Sequence, residues 1–159
     1  MKNQSESKKW LARAKSNLSI AQIGKISEDL MYEDLGNNCH AAVEKALKAL
    51  LVYHHIEPNY KPPHGRNGHS LEVLIKKIEE LNVIVPDDIK NASSTPFFYG
   101  GWSFPWSFPW KIGSTASLMD YAVDRRYPGK YEPLTENGYK DILVRAGKIV
   151  EWVEEQIKI

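Results

Sequence analysis

The chain has little of what covalent or metal chemistry requires. Its 159 residues include one cysteine, Cys39, so an internal disulfide framework is excluded and a reducing compartment is expected. No charge of one sign dominates: 21 Lys and Arg face 20 Asp and Glu, a net charge of +1, so any nucleic-acid or anionic-membrane partner needs a local patch. No apolar run approaches the ~20 residues that span a bilayer. The first ten residues lack the apolar centre of a signal peptide, and the expectation is a cytoplasmic protein with no membrane partner. Gly-rich phosphate loops, nucleophile elbows and paired carboxylates are missing, which leaves acyl and phosphoryl transfer by a known motif unsupported. The histidines do not make a metal site either. Cys39-His40 and His54-His55 are adjacent pairs that point about 100° apart on a helix, and His64 and His69 lie on a Pro/Gly-rich stretch, so neither metal nor cofactor is expected.

Helical periodicity is what the chain does have, and strand-type alternation never persists. Residues 1–159 are sized for one domain. The spacing predicts a first helix from about Ser7 to Ile26, with Trp10, Leu11, Ala14, Leu18 and Ala21 on one face and Ser5 or Ser7 as its cap. A second spans about Tyr32 to His55, built on Leu35, Cys39, Val43, Ala46, Leu47, Leu50 and Leu51. Pro58, Pro62, Pro63, Gly65 and Gly68 make 56–69 a loop. From Ser70 the pattern Leu71, Leu74, Ile75, Ile78, Leu81 restarts a helix, and Pro86-Asp87-Asp88 opens a short one. Leu118, Met119, Tyr121 and Ala122 suggest another short helix, stopped by Pro128 and Gly129. The last carries Tyr139, Ile142, Leu143, Ala146, Ile149, Val150, Val153 and Ile157 behind a Thr135 cap. The fold class is therefore all-α, an up-and-down bundle of about five helices with an irregular aromatic-rich insertion.

That insertion, 93–116, contains the tandem repeat Trp102-Ser-Phe-Pro-Trp-Ser-Phe-Pro-Trp110, in which the prolines forbid a regular helix or a central strand. Trp102, Phe104, Trp106, Phe108 and Trp110 are costly to expose and are candidates for an interface with the bundle or a second subunit; a ligand platform is the alternative.

On the second helix Asn37, His40, Glu44 and Lys48 recur at three- and four-residue spacing on a face of their own. Two readings stay open. His40 is a core histidine bonded to a neighbouring helix and Glu44–Lys48 a solvated pair worth ~0.2–0.5 kcal/mol, or the stripe lines a cleft where Lys45 or Lys48 meets a phosphate and His40 a base or sugar. Arg125 and Arg126 beside Tyr127 are the other candidates for gripping a phosphate, with Arg125 equally able to pair with Asp124 of a second copy.

The early Trp on an Ala-rich helix, the block Cys-His-Ala-Ala-Val-Glu-Lys-Ala-Leu-Lys-Ala-Leu-Leu (39–51), Gly-His-Ser-Leu-Glu-Val-Leu (68–74), Asp-Arg-Arg-Tyr-Pro-Gly (124–129) and a long final helix together resemble the HEPN domain (higher eukaryotes and prokaryotes nucleotide-binding). The resemblance implies a helical bundle that forms homodimers, often beside a minimal nucleotidyltransferase in toxin–antitoxin pairs. It also implies either RNase activity or a non-catalytic role in binding a nucleotide, RNA or partner. RNase-active members of that family carry an Arg followed after four to six residues by a His. The arginines here are Arg13, Arg66, Arg125, Arg126 and Arg145; Arg66 precedes His69 by too little, and no His follows residue 69. The expectation is thus a binding domain with no catalytic residues. A ribonuclease using a displaced set such as His40 with Arg125 or Arg126, and a pure interaction module, are the alternatives.

Overall fold

The computed structural model describes residues 2–57, 71–94 and 134–157, and all regular structure among them is helical. The helices are α1 (Lys2–Ile23), α2 (Tyr32–Tyr53), α3 (Leu71–Glu80), α4 (Asp87–Ser94) and α5 (Glu136–Gln156). None is long and apolar enough to cross a membrane. The 93–116 insertion beyond Ser94, the short helix expected around 118–122 and the Asp-Arg-Arg-Tyr-Pro-Gly block lie outside the described residues.

The centre of the bundle is α2. Its Cys39, Ala42, Val43, Ala46, Leu47, Ala49, Leu50 and Leu51 are all fully buried, more than one apolar stripe supplies, because α1, α3 and α5 all pack against it. The α1–α2 hairpin is antiparallel and fixed at three levels. Near its open end Asn3 Nδ2 contacts His55 Nδ1. At mid-height Ser7 Oγ donates to the Ala49 carbonyl at 2.8 Å, and toward the connection Asn17 Nδ2 donates to Asn38 Oδ1 at 2.8 Å. Along α5, the expected stripe is buried except for the half-buried Leu143, and Thr135 Oγ1 caps the helix by accepting from Gly138 N at 3.1 Å. Its first turn is tied to that of α2, where Glu33 Oε1 accepts from Leu134 N at 2.6 Å and Tyr139 stacks on Tyr32 with ring centroids 5.4 Å apart. Pro86 opens α4, its carbonyl accepting from Ile89 and Lys90.

Three details depart from the expectations above. Ser7 is not a cap: α1 begins at Lys2, and Ser7 is fully buried inside it, its hydroxyl used across the hairpin. The helix also stops before Ile26, because Gly24 takes a φ of +77°, a conformation that glycine adopts cheaply after a helix. The end of α2 is less conventional. His55 N donates to the Val52 carbonyl and Ile56 N to that of Leu51 at 2.9 Å, the paired bonds of a Schellman closure. The left-handed position of that closure, usually a glycine, is occupied by His55 at φ 65°.

Candidate functional site

The polar residues of α2 are not one stripe but two regions with opposite electrostatic character. On the first, Lys48 Nζ is 2.6 Å from Glu44 Oε1, and the two side chains are 7% and 14% exposed. Lys48 Nζ also lies 5.9 Å from the centre of the Trp10 ring on α1. Its charge is thus compensated on two sides, and a phosphate reaching it must displace or share a partner. His40, on the same face one turn before Glu44, is 3% exposed. Asn37 Oδ1, a turn further back, is buried and accepts no hydrogen bond among the described residues.

The second region is the seam between α2 and the flank of α1. Here Lys45 Nζ donates to Asn17 Oδ1, Asn17 donates to Asn38, and Asn38 Nδ2 donates to the Asp34 carbonyl at 3.0 Å. Neutral amides hold the Lys45 ammonium in place without cancelling its charge. The sequence pattern brought His40, Glu44, Lys45 and Lys48 onto one helix. Lys45 falls about 100° around the axis from Glu44 and about 60° from Lys48, so it takes an α1 partner, Asn17, in place of the Glu44 carboxylate. Trp10 and Asn17, which meet Lys48 and Lys45 from α1, recur with Arg13 at three and four along that helix, a spacing that a search confined to α2 does not see.

Cys39 can be set aside as a reactive group. Burial pushes its thiol up to about 12, so no thiolate forms near neutral pH. Among the described residues no group of three or more His, Cys, Asp or Glu side chains is arranged to hold a metal. A depression at the open end of the hairpin is lined by Asn3, Gln4, Tyr53, His54 and His55. A second, on the α1 flank, is lined by Ser5, Glu6, Lys9, Trp10 and Arg13. The candidates Arg125, Arg126 and Tyr127, and the aromatics Trp102, Phe104, Trp106, Phe108 and Trp110, lie outside the described residues.

Comparison with known proteins agrees with this architecture. A family model described as the HEPN domain matches residues 7–156. The crystal structure of ST0689, an archaeal HEPN homologue, superposes with a TM-score of 0.60 at 23% identity, covering 96% of this chain and 98% of that one, a likeness of fold. No curated protein matches the chain. With the family model running from within α1 to the end of α5, the chain belongs to the HEPN domain family.

Proposed function

We propose that this chain is a non-catalytic HEPN domain whose work is binding: a nucleotide, or a minimal nucleotidyltransferase partner in a toxin–antitoxin-like pair, with the domain acting as a cytoplasmic homodimer. The observation that supports this best is the state of the α2 face. A nuclease built on this helix needs an exposed, adjustable acid–base group beside a free cation. Instead His40 is buried and Lys48 is bonded to Glu44, which holds this face rigid and leaves neither group poised for acid–base work. The missing Arg–His spacing points the same way. The acceptor Asn37 Oδ1, buried without a donor among the described residues, gives such a surface a polar group for a ligand or partner to satisfy.

Calorimetric titration with nucleoside mono-, di- and triphosphates tests the ligand half, with Arg126→Ala as a control for the 125–127 block. Heat of binding that falls in the variant supports the proposal, and its absence for every nucleotide removes the ligand half. Cleavage of RNA by the purified protein, abolished by His40→Ala, would establish the ribonuclease alternative instead. Co-purification with a co-expressed minimal nucleotidyltransferase tests the partner half.

A further inference from the structure

Most cations of the described residues are neutralised. Lys15, Lys25, Lys48, Lys77, Lys90, Lys140, Arg145 and Lys148 each have a carboxylate within ion-pair distance. Among the described residues Lys8, Lys9, Arg13, Lys45 and Lys76 have no carboxylate within that distance, and three of these, Lys9 and Arg13 on α1 and Lys45 on α2, border one seam of the hairpin. Arg13 is placed on that seam by its neighbours in the helix: Trp10, three residues before it, lies against Lys48, and Asn17, four residues after it, holds Lys45.

These features complement one another chemically. Lys45 is half-buried and immobilised by the Asn17–Asn38–Asp34 chain, so little side-chain entropy remains to be lost when it meets an anion. Arg13 is exposed on α1 one turn before Asn17, the residue that holds Lys45, and supplies a planar donor fork that suits phosphate. Trp10, half-buried and lining the adjoining depression, presents an aromatic surface beside these cations. Glu6, two turns before Arg13 in the same depression, is the acidic boundary that confines an anion to the Arg13 end.

We propose that the seam between α1 and α2 is a nucleotide subsite in which Lys45 and Arg13 take the phosphate and Trp10 stacks the base. The subsite adjoins the Lys48 end of the polar face through Trp10 and includes two α1 residues that no helix-two motif contains. It rests on the reading of the chain as a nucleotide binder for the identity of the base-bearing ligand, whereas the anion-binding half follows from uncompensated charge alone. The nucleotide unit has two sources, a free mononucleotide or single-stranded RNA, and both present the same phosphate and ring.

The test is titration of the full chain with 5′-AMP, with inorganic pyrophosphate and with a short single-stranded oligoribonucleotide, each with fold checked by circular dichroism. Lys45→Met and Arg13→Ala, which touch no core residue, are expected to weaken AMP at least about tenfold each, the loss of one charge-assisted hydrogen bond. Glu6→Gln tightens it, and Lys8→Ala, an unpaired lysine on the opposite flank of α1, leaves it unchanged. A stronger response to the oligoribonucleotide with the same dependence on Lys45 and Arg13 assigns the ligand to RNA, and an equal or weaker one to the mononucleotide. AMP binding that is insensitive to both substitutions overturns the subsite and leaves the proposed function standing. Absence of binding by any probe overturns both. Pyrophosphate binding as tightly as AMP, with Trp10→Leu without effect, overturns the nucleotide assignment.

Discussion

Lys45 and Lys48 stand three residues apart on the same helix, yet the bundle treats them as different chemical objects. Lys48 is closed in: Glu44 at 2.6 Å takes its charge and Trp10 lies beside it. Lys45 is held by Asn17, a neutral amide, and keeps its charge. What separates them is where the partner comes from. On the Lys45 side α1 offers an amide; on the Lys48 side the carboxylate comes from one turn back on α2 itself. Helical spacing fixes the fate of a charge whose partner is on its own helix, and the packed neighbour fixes it for one whose partner is not.

The largest effect, against which this contrast is measured, comes from the core of α2. Leu47 is fully buried there, and Leu47→Ala is expected to destabilise the fold by about 2–5 kcal/mol through lost burial and a residual cavity, read by urea denaturation. Glu44→Ala comes next. It leaves the Lys48 ammonium, with its side chain 7% exposed, short of its carboxylate and is expected to cost about 1–3 kcal/mol. Lys45→Met, by contrast, is expected to change stability by no more than about 0.5 kcal/mol, because the ammonium it removes is bonded only to an amide at the surface of the seam. Equal losses in the two variants would erase the distinction between the regions.

Residue spacing along α2 and α5 carried most of the fold. The apolar positions named on each were legible because a single helix reports its own period, and Thr135 was legible as a cap because its partner is three residues away. Ser7 was misread for the opposite reason: its partner, the Ala49 carbonyl, is 42 residues distant, and a serine near a helix start looks like a cap until the pairing of α1 with α2 is known. The site was legible only in composition. That His40, Glu44 and Lys48 line up and that Glu44 pairs with Lys48 follows from the 3.6-residue repeat; that His40 and Lys48 are buried, with Trp10 against Lys48 and Asn17 holding Lys45, depends on how α1 docks, which no local pattern encodes.

The two regions end together where α2 closes, and the closure carries strain. His55 holds a φ of 65°, a conformation that costs a residue with a Cβ roughly 1–2 kcal/mol. His55→Gly relieves that cost while giving up some unfolded-state restriction and the Asn3 contact, so a net gain of up to about 1 kcal/mol is expected in thermal unfolding. Asn82, at φ 60° after α3, marks the contrast, since a short amide side chain tolerates this region better than an imidazole does. A loss of stability in His55→Gly would show that the Asn3–His55 contact outweighs the strain.

The smallest effect is a dependence on pH at the same end. His54 is held below its ordinary 6.5, first by burial and then by repulsion from the imidazole of His55. Its unfolded form therefore takes up a proton more readily than its folded form. The stability this neutral imidazole supports is fully present above about pH 6.5 and is lost as pH falls through the lowered folded value. His54→Gln is expected to flatten the fall in melting temperature between about pH 7 and pH 5, the window around the ordinary histidine value. His55→Gly should remove only the repulsive part and leave the larger part due to burial, so its melting curve retains most of the slope. If the glycine variant flattens the curve as fully as the glutamine one, the neighbouring charge and not burial governs His54, and the open end of the hairpin titrates as a coupled pair.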